Sequence, residues 1–65
     1  MSSSYELIEV VGTSTSCSCD AVKSIVKKSN EEKPVYWFEV VEERGRVTSE
    51  GEVEFQVKVK IGRKI

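Results

Sequence analysis

The sequence predicts an α+β fold in the order β-α-β-β, a three-stranded antiparallel sheet wrapped on one helix. Three observations predict it. Residues 52–61 alternate polar and apolar without a break, the mark of a strand with one buried face. Ala21, Val22, Ile25 and Val26 recur at helical spacing. Two runs rich in β-branched and aromatic residues, 5–11 and 35–44, lie on either side of that helix.

Each element follows from its residues. Met1–Ser4 is a polar, untethered start, expected to fray. Tyr5–Val11 forms the first strand, stopped by Gly12. Gly12–Cys19 is small and hydroxyl-rich and reads as a loop. Ser18 is the expected helix N-cap, with Asp20 favourably placed against the helix dipole in the first turn. Lys23, Lys27 and Lys28 lie off the apolar stripe and gather toward the C-terminal end, as the dipole prefers. The helix is expected to stop near Asn30, because Pro34 disfavours helix at Lys33. Val35–Arg44 is the second strand, Gly45–Gly51 a polar turn and Glu52–Ile61 the third strand. Strands two and three make a hairpin. The simplest sheet sets strand three in the middle, antiparallel to both neighbours, with a right-handed crossover through the helix. Residues 1–65 form one domain, without repeat or linker.

Composition narrows the function. A 65-residue chain buries only roughly 60% of its unfolded surface, which invites a staple or self-association. Two cysteines cannot build a multi-disulfide framework. No apolar run approaches the ~20 residues of a membrane span, and no signal-peptide pattern opens the chain. Ten basic against eleven acidic residues give a net charge of −1, hence no general attraction to nucleic acid. Histidine is absent, so the commonest general base and metal ligand is missing. These observations argue against an enzyme.

The strand faces carry the functional reading. Phe55, Val57 and Val59 are taken as the helix-covered set. Strict alternation in strand two gives one set of Tyr36, Phe38, Val40, Glu42 and Arg44, and another of Val35, Trp37, Glu39, Val41 and Glu43. With Phe38 and Val40 in the core, Trp37 points away from the helix, onto the face of Gln56. The opposite register buries Trp37 and exposes Phe38, and periodicity alone does not choose between them. An outward Trp37 leaves an apolar patch that asks for another subunit or a flat ligand. Stacking of an indole on a planar heterocycle contributes ~1–3 kcal/mol. The Gln56 carboxamide offers one acceptor and two donors, which suits the imide edge of a flavin. Leaving such a group buried and unpaired costs about 1–3 kcal/mol, so it would also select its ligand.

At these residues the chain resembles the dodecins, small flavin-binding proteins that assemble into hollow dodecamers. The resemblance runs through Glu6–Ser14, Trp37–Glu42, Arg44-Gly45, Phe55-Gln56-Val57 and Gly62, in order and over nearly the whole chain. It implies the same β-α-β-β fold and a homododecamer. It further implies that Trp37 stacks on the isoalloxazine ring, with two flavins held between two such tryptophans at a two-fold axis. Gln56 would hydrogen-bond the pyrimidine-like edge. Arg44 and Arg46 would approach the ribityl chain or phosphate, and Val35 and Tyr36 would add backbone contacts. FMN is the implied ligand, with riboflavin or another flavin the variant. Coenzyme A binds some bacterial relatives through basic residues, for which Lys27, Lys28 and Lys64 are the nearest counterparts. A calcium-binding branch lacks the Trp and Gln that this chain keeps. Two places depart from the family: Cys17-Ser18-Cys19, where a larger residue often stands, and the ending Gly62-Arg63-Lys64-Ile65. The implied function is storage and protection of flavin without turnover, since an indole in contact with an excited flavin returns it quickly to the ground state.

The remaining signals have plainer readings. Cys17-Ser18-Cys19 has neither the spacing nor the ligand number of a zinc site and makes a poor disulfide, and free thiols suit a reducing cytoplasm. Gly12–Ser16 before a helix suits an anion but lacks the P-loop lysine. Glu42–Arg46 reads as a solvated hairpin end unless it serves the flavin, and Glu31-Glu32 as exposed loop. Glu39 and Glu54 read as surface ion-pair partners. The rival function is a βαββ module that binds protein or nucleic acid through the Trp37 face. Glu39, Glu43, Glu52 and Glu54, expected on or near that face, argue against RNA.

Overall fold

A computed structural model describes residues 4–65; most of the expected frayed start, Met1–Ser3, lies outside the described residues. The order is β1 (Tyr5–Ser14), α1 (Ser18–Glu32), β2 (Val35–Val47) and β3 (Val53–Lys64). The strand order is β1-β3-β2, and β3 is antiparallel to both neighbours, as expected. All three strands run longer than the sequence patterns suggest. β1 continues through Gly12 to Ser14, because Gly12, Thr13 and Ser14 pair with Val57, Gln56 and Phe55. Cross-strand bonding there overrides the local loop preference of small residues.

The cap of α1 also differs from expectation. Cys17, not Ser18, is the N-cap: its backbone is extended and its Sγ accepts the Asp20 N–H at 3.2 Å. The helix runs past Asn30 to Glu32, so Glu31 and Glu32 are helical rather than loop. Lys33 N–H closes the last turn on Ser29 O, and Pro34 follows. The Asn30 carboxamide then accepts the Val35 N–H at 2.8 Å and steers the chain into β2.

One face of the sheet meets the helix. Ala21 packs there against Val57, Val59 and Ile61, all essentially inaccessible, with Ile8, Val10, Val22, Ile25, Val26 and Val35 around them. Gly12 makes this approach possible: a Cβ at that position would lie 2.7 Å from Ala21 O and 3.1 Å from Ile25 Cβ. Fifteen residues of helix span about 22 Å, against 53 Å for the long axis of the molecule. The helix therefore cannot cover the sheet. Phe38 and Val40 do turn to the helix side, opposite Ile61 and Val59. They stay 48% and 44% exposed because, among the described residues, the short helix leaves them only partly covered, and Val47 and Val53 beyond them are more exposed still.

Two bulges correct the strict alternation expected in β2. The register shifts at Tyr36 and again at Val41. The first puts Val35, opposite Arg63, on the helix side rather than with Trp37. The second moves Glu42 and Arg44 from the Phe38 side to the Trp37 side, opposite Lys58 and Gln56, and moves Glu43 to the helix side opposite Val57. A one-residue slip exchanges every side chain beyond it between faces, which is why alternation counted from Trp37 fails after Val40.

Candidate functional site

The face away from the helix holds the candidate residues, in two groups. Trp37 stands opposite Gly62 on β3 and turns outward, 45% exposed. The indole lies directly over Gly62. A Cβ on Gly62 would fall 2.5–2.6 Å from three atoms of its six-membered ring, so only a glycine lets the ring lie across the central strand. Tyr5 meets the indole edge-on, with centroids 5.3 Å apart at 69°, and meets Tyr36 in the same manner at 5.7 Å and 80°. Such edge-to-face pairs fix ring orientation and leave flat surfaces free. Leu7, on the other side of Gly62, is 60% exposed and completes an apolar, aromatic platform. Tyr36 and Phe38 also line an open groove of about 460 Å³ between β2 and the C-terminal half of α1, with Val35 and Lys27.

The second group lies at the hairpin end. Arg44 Nε donates to Gln56 Oε1 at 3.1 Å, across the strand pair that the Val41 bulge aligns. Gln56 Nε2 donates in turn to Glu54 Oε1 at 3.3 Å, and Arg46 Nε donates to the same oxygen at 2.8 Å. The Arg46 bond, with the Gln56 bond after it, holds the Glu54 carboxyl below its ordinary value. One donor and one acceptor position of the Gln56 amide remain free.

Of the residues marked in the sequence, Trp37 and Tyr36 come together, and so do Gln56, Arg44 and Arg46. The two groups share a face without meeting. Gln56 and Gly62, on which Trp37 rests, are six residues apart along β3, about 20 Å at the rise of a strand. Val35 is half-buried on the opposite side, its N–H taken by Asn30. Gly62, Tyr5 and Leu7 were not foreseen as parts of the platform. A glycine inside an otherwise apolar strand is the signal that points to a close approach.

A third cluster ties the chain ends together on the helix side. Arg63, nearly buried, reaches Glu6 at 3.2 Å and Glu32 at 3.4 Å, and Lys33 reaches Glu6 at 3.0 Å. The Lys33 hydrogen bond chiefly, with Arg63 assisting, holds the Glu6 carboxyl low. Among the described residues no set of three or more Asp, Glu, Cys or His side chains gathers as a metal site, and no helix is long and apolar enough to cross a membrane.

Comparison with known proteins places this geometry. The family profile described as Dodecin matches residues 5–65. Dodecin from Streptomyces coelicolor is 34% identical with a TM-score of 0.86, covering 97% of this chain and 91% of its own. Dodecin from Streptomyces davaonensis is 27% identical with a TM-score of 0.88, covering 100% and 97%. The calcium dodecin of Mycobacterium tuberculosis, described with a novel calcium-binding site, shares the fold at 22% identity and a TM-score of 0.88 over 95% and 90%. No curated protein matches the chain.

Proposed function

Starting from the fact that the chain belongs to the dodecin family, we propose that it binds flavin, FMN first among the flavins, as a store without turnover. The observation that carries this reading is the indole laid flat over Gly62 with its far side open. A Cβ would fill that cradle, so the sequence keeps an aromatic platform at the expense of a strand side chain. The bound flavin would supply a reactive, light-absorbing tricyclic ring. Trp37 would stack on it, Tyr5 and Leu7 would wall it from water, and contact with the indole would quench its photochemistry.

The spacing along β3 adds a condition. A single ring cannot meet Trp37 and Gln56 of one chain across about 20 Å. A Gln56 that reaches the ring edge must come from another copy, with Arg44 and Arg46 beside it as neighbours of the ribityl phosphate. Self-association is supported independently. Among the described residues eleven large hydrophobic side chains are exposed while the inaccessible core holds four, an imbalance that a closed oligomer such as the family's dodecamer relieves. Tyr36, Val35 and the groove beside Lys27 would then lie at or near a subunit contact. For coenzyme A the nearest basic counterparts do not gather within one chain, since Lys27 lies beside the groove on the helix side and Lys64, opposite Tyr5, on the open face; the two free thiols suit a reducing, cytoplasmic setting.

The rival reading, a protein- or nucleic-acid-binding module on the Trp37 face, is less well supported. Glu9, Glu39, Glu42 and Glu54 interleave on that face with Arg44, Arg46, Lys58, Lys60 and Lys64, so its charges nearly balance and leave no strong basic field. The test is a titration of ligand-free protein with FMN, followed by Trp37 fluorescence and native mass. Strong quenching in a yellow assembly of twelve chains is expected. Unquenched emission at micromolar protein would remove the flavin assignment.

A further inference from the structure

The paired thiols at the start of α1 take no part in the open face. Cys17 is extended (φ −165°, ψ 164°) and Ser18 begins the helix, so the chain turns and brings both side chains to one side. The two Sγ atoms are in direct contact, one thiol bonding the other at 2.7 Å. Cys17 is half-buried, and Cys19 is exposed to small reagents. The Asp20 N–H points at Cys17 Sγ at 3.2 Å, so a sulfur anion there would receive a hydrogen bond and the positive end of the helix dipole. The Cys19 thiol and then that amide hold the Cys17 thiol below its ordinary value, while the same contact pushes Cys19 up. The nearby Asp20 carboxylate opposes this but is engaged by the Ser14 hydroxyl at 2.9 Å.

We propose that Cys17 and Cys19 form a thiol–disulfide exchange site whose substrate is a small, low-molecular-weight disulfide. The Cys17 thiolate attacks one sulfur of the substrate. A Cys17–S bond forms, the substrate S–S bond breaks, and one substrate half leaves as thiolate. Cys19 then gives up its proton, and its sulfur attacks the Cys17 sulfur and expels the second half. The two protein thiols lose two electrons to the substrate disulfide. Their two protons finish on the two thiols released. The product ring closes over three residues, which strains the bridge and keeps it exposed. A bridge of that kind is a poor staple and a readily reversed exchange partner. Oxidation also removes the charge-bearing acceptor at the N-cap and so weakens the start of α1.

The experiment uses the reduced, assembled protein with oxidised glutathione at neutral pH, read by intact mass and by alkylation of remaining thiols. The wild type is expected to lose two hydrogens per chain, retain no glutathione and leave no thiol to alkylate. Cys19→Ser should stop with one glutathione on Cys17. Cys17→Ser keeps a competent N-cap, since serine caps well, and its remaining Cys19 should react roughly tenfold more slowly. The difference between the two variants should vanish in denaturant. Equal rates in the folded variants, two glutathiones on each wild-type chain, or bridges between chains would each overturn the proposal. No residue of the open face enters this test, so its outcome is separate from that of the flavin titration.

Discussion

The two ends of the open sheet face solve opposite problems. At the Trp37 end the chain removes a side chain, at Gly62, and covers the gap with a ring whose polar partners lie elsewhere. At the Gln56 end four polar side chains bond one another: Arg44 with Gln56, and Gln56 and Arg46 with Glu54. The first end is apolar and incomplete in the single chain. The second is polar and largely satisfied within it. A ligand clamped between copies gains most at the incomplete end, where it buries area that water now touches. At the satisfied end it must compete for bonds already made, so that end tunes selectivity more than affinity.

Removing the platform should cost most. Trp37→Ala loses a stacking contact of ~1–3 kcal/mol, roughly a 5- to 150-fold rise in the FMN dissociation constant, read by isothermal titration. A change under twofold would erase the distinction between the two ends. Gly62→Ala comes next, because it leaves the indole in place chemically and denies it room. The added methyl would fall 2.5 Å from the ring, so Trp37 must swing away. Overpacking of this kind costs ~1–3 kcal/mol of stability. We expect a shifted Trp37 emission maximum and weaker flavin binding at an unchanged chain length and charge. Unaltered emission would mean that the ring rests elsewhere.

How much of this was legible in the sequence depends on the residue. The alternation of Val53–Ile61 gave the central strand and its buried side, and Ala21, Val22, Ile25 and Val26 gave the helix face, since both periods are set by backbone geometry. The bulges at Tyr36 and Val41 were not legible. Neither carries a glycine or proline, and both arise from pairing with β3 over long sequence separation. They decide the site: without the second, Arg44 would face the helix side instead of Gln56. The distance between Trp37 and Gln56 is legible in the sequence. A hairpin turning at Ser49–Glu50 sets Gln56 opposite the middle forties, far from Trp37. The cap at Cys17 was hidden because serine is a favoured N-cap residue and cysteine is not, so Ser18 draws the expectation, while the strand end at Ser14 sets where the helix begins.

A smaller effect is expected at the satisfied end. Gln56→Ala removes one neutral hydrogen bond to ligand at about 0.5–1.5 kcal/mol, and frees Arg44 Nε at the same time. Affinity for FMN should fall roughly 2- to 10-fold, while discrimination against flavin analogues altered at the imide edge should shrink. If Gln56→Ala weakens binding more than Trp37→Ala does, the polar end anchors the ligand and the comparison reverses.

The smallest effect concerns acid. The Arg46 bond, with Gln56 assisting, lowers the Glu54 carboxyl from its ordinary value of 4.5, so the folded chain holds the ionised form more tightly than the unfolded chain does. The sign follows: this contribution is fully present above the ordinary carboxylate value and is lost as pH falls through the lowered one. Glu6, held low by Lys33 and Arg63 at the other end of the sheet, behaves in the same sense. Glu54→Gln should therefore flatten only the hairpin's share of the acid response. Arg46 is largely exposed, so water and salt screen the pair and the difference stays small. Urea midpoints at fixed protein concentration, at neutral pH and at pH about 3, would show the gap between wild type and Glu54→Gln narrowing on acidification. A gap independent of pH would mean that Glu54 acts through its hydrogen-bond shape alone, which a neutral glutamine reproduces in part. The emission of Trp37 should be unmoved by the substitution at either pH, because about 20 Å of strand separates the indole from this cluster.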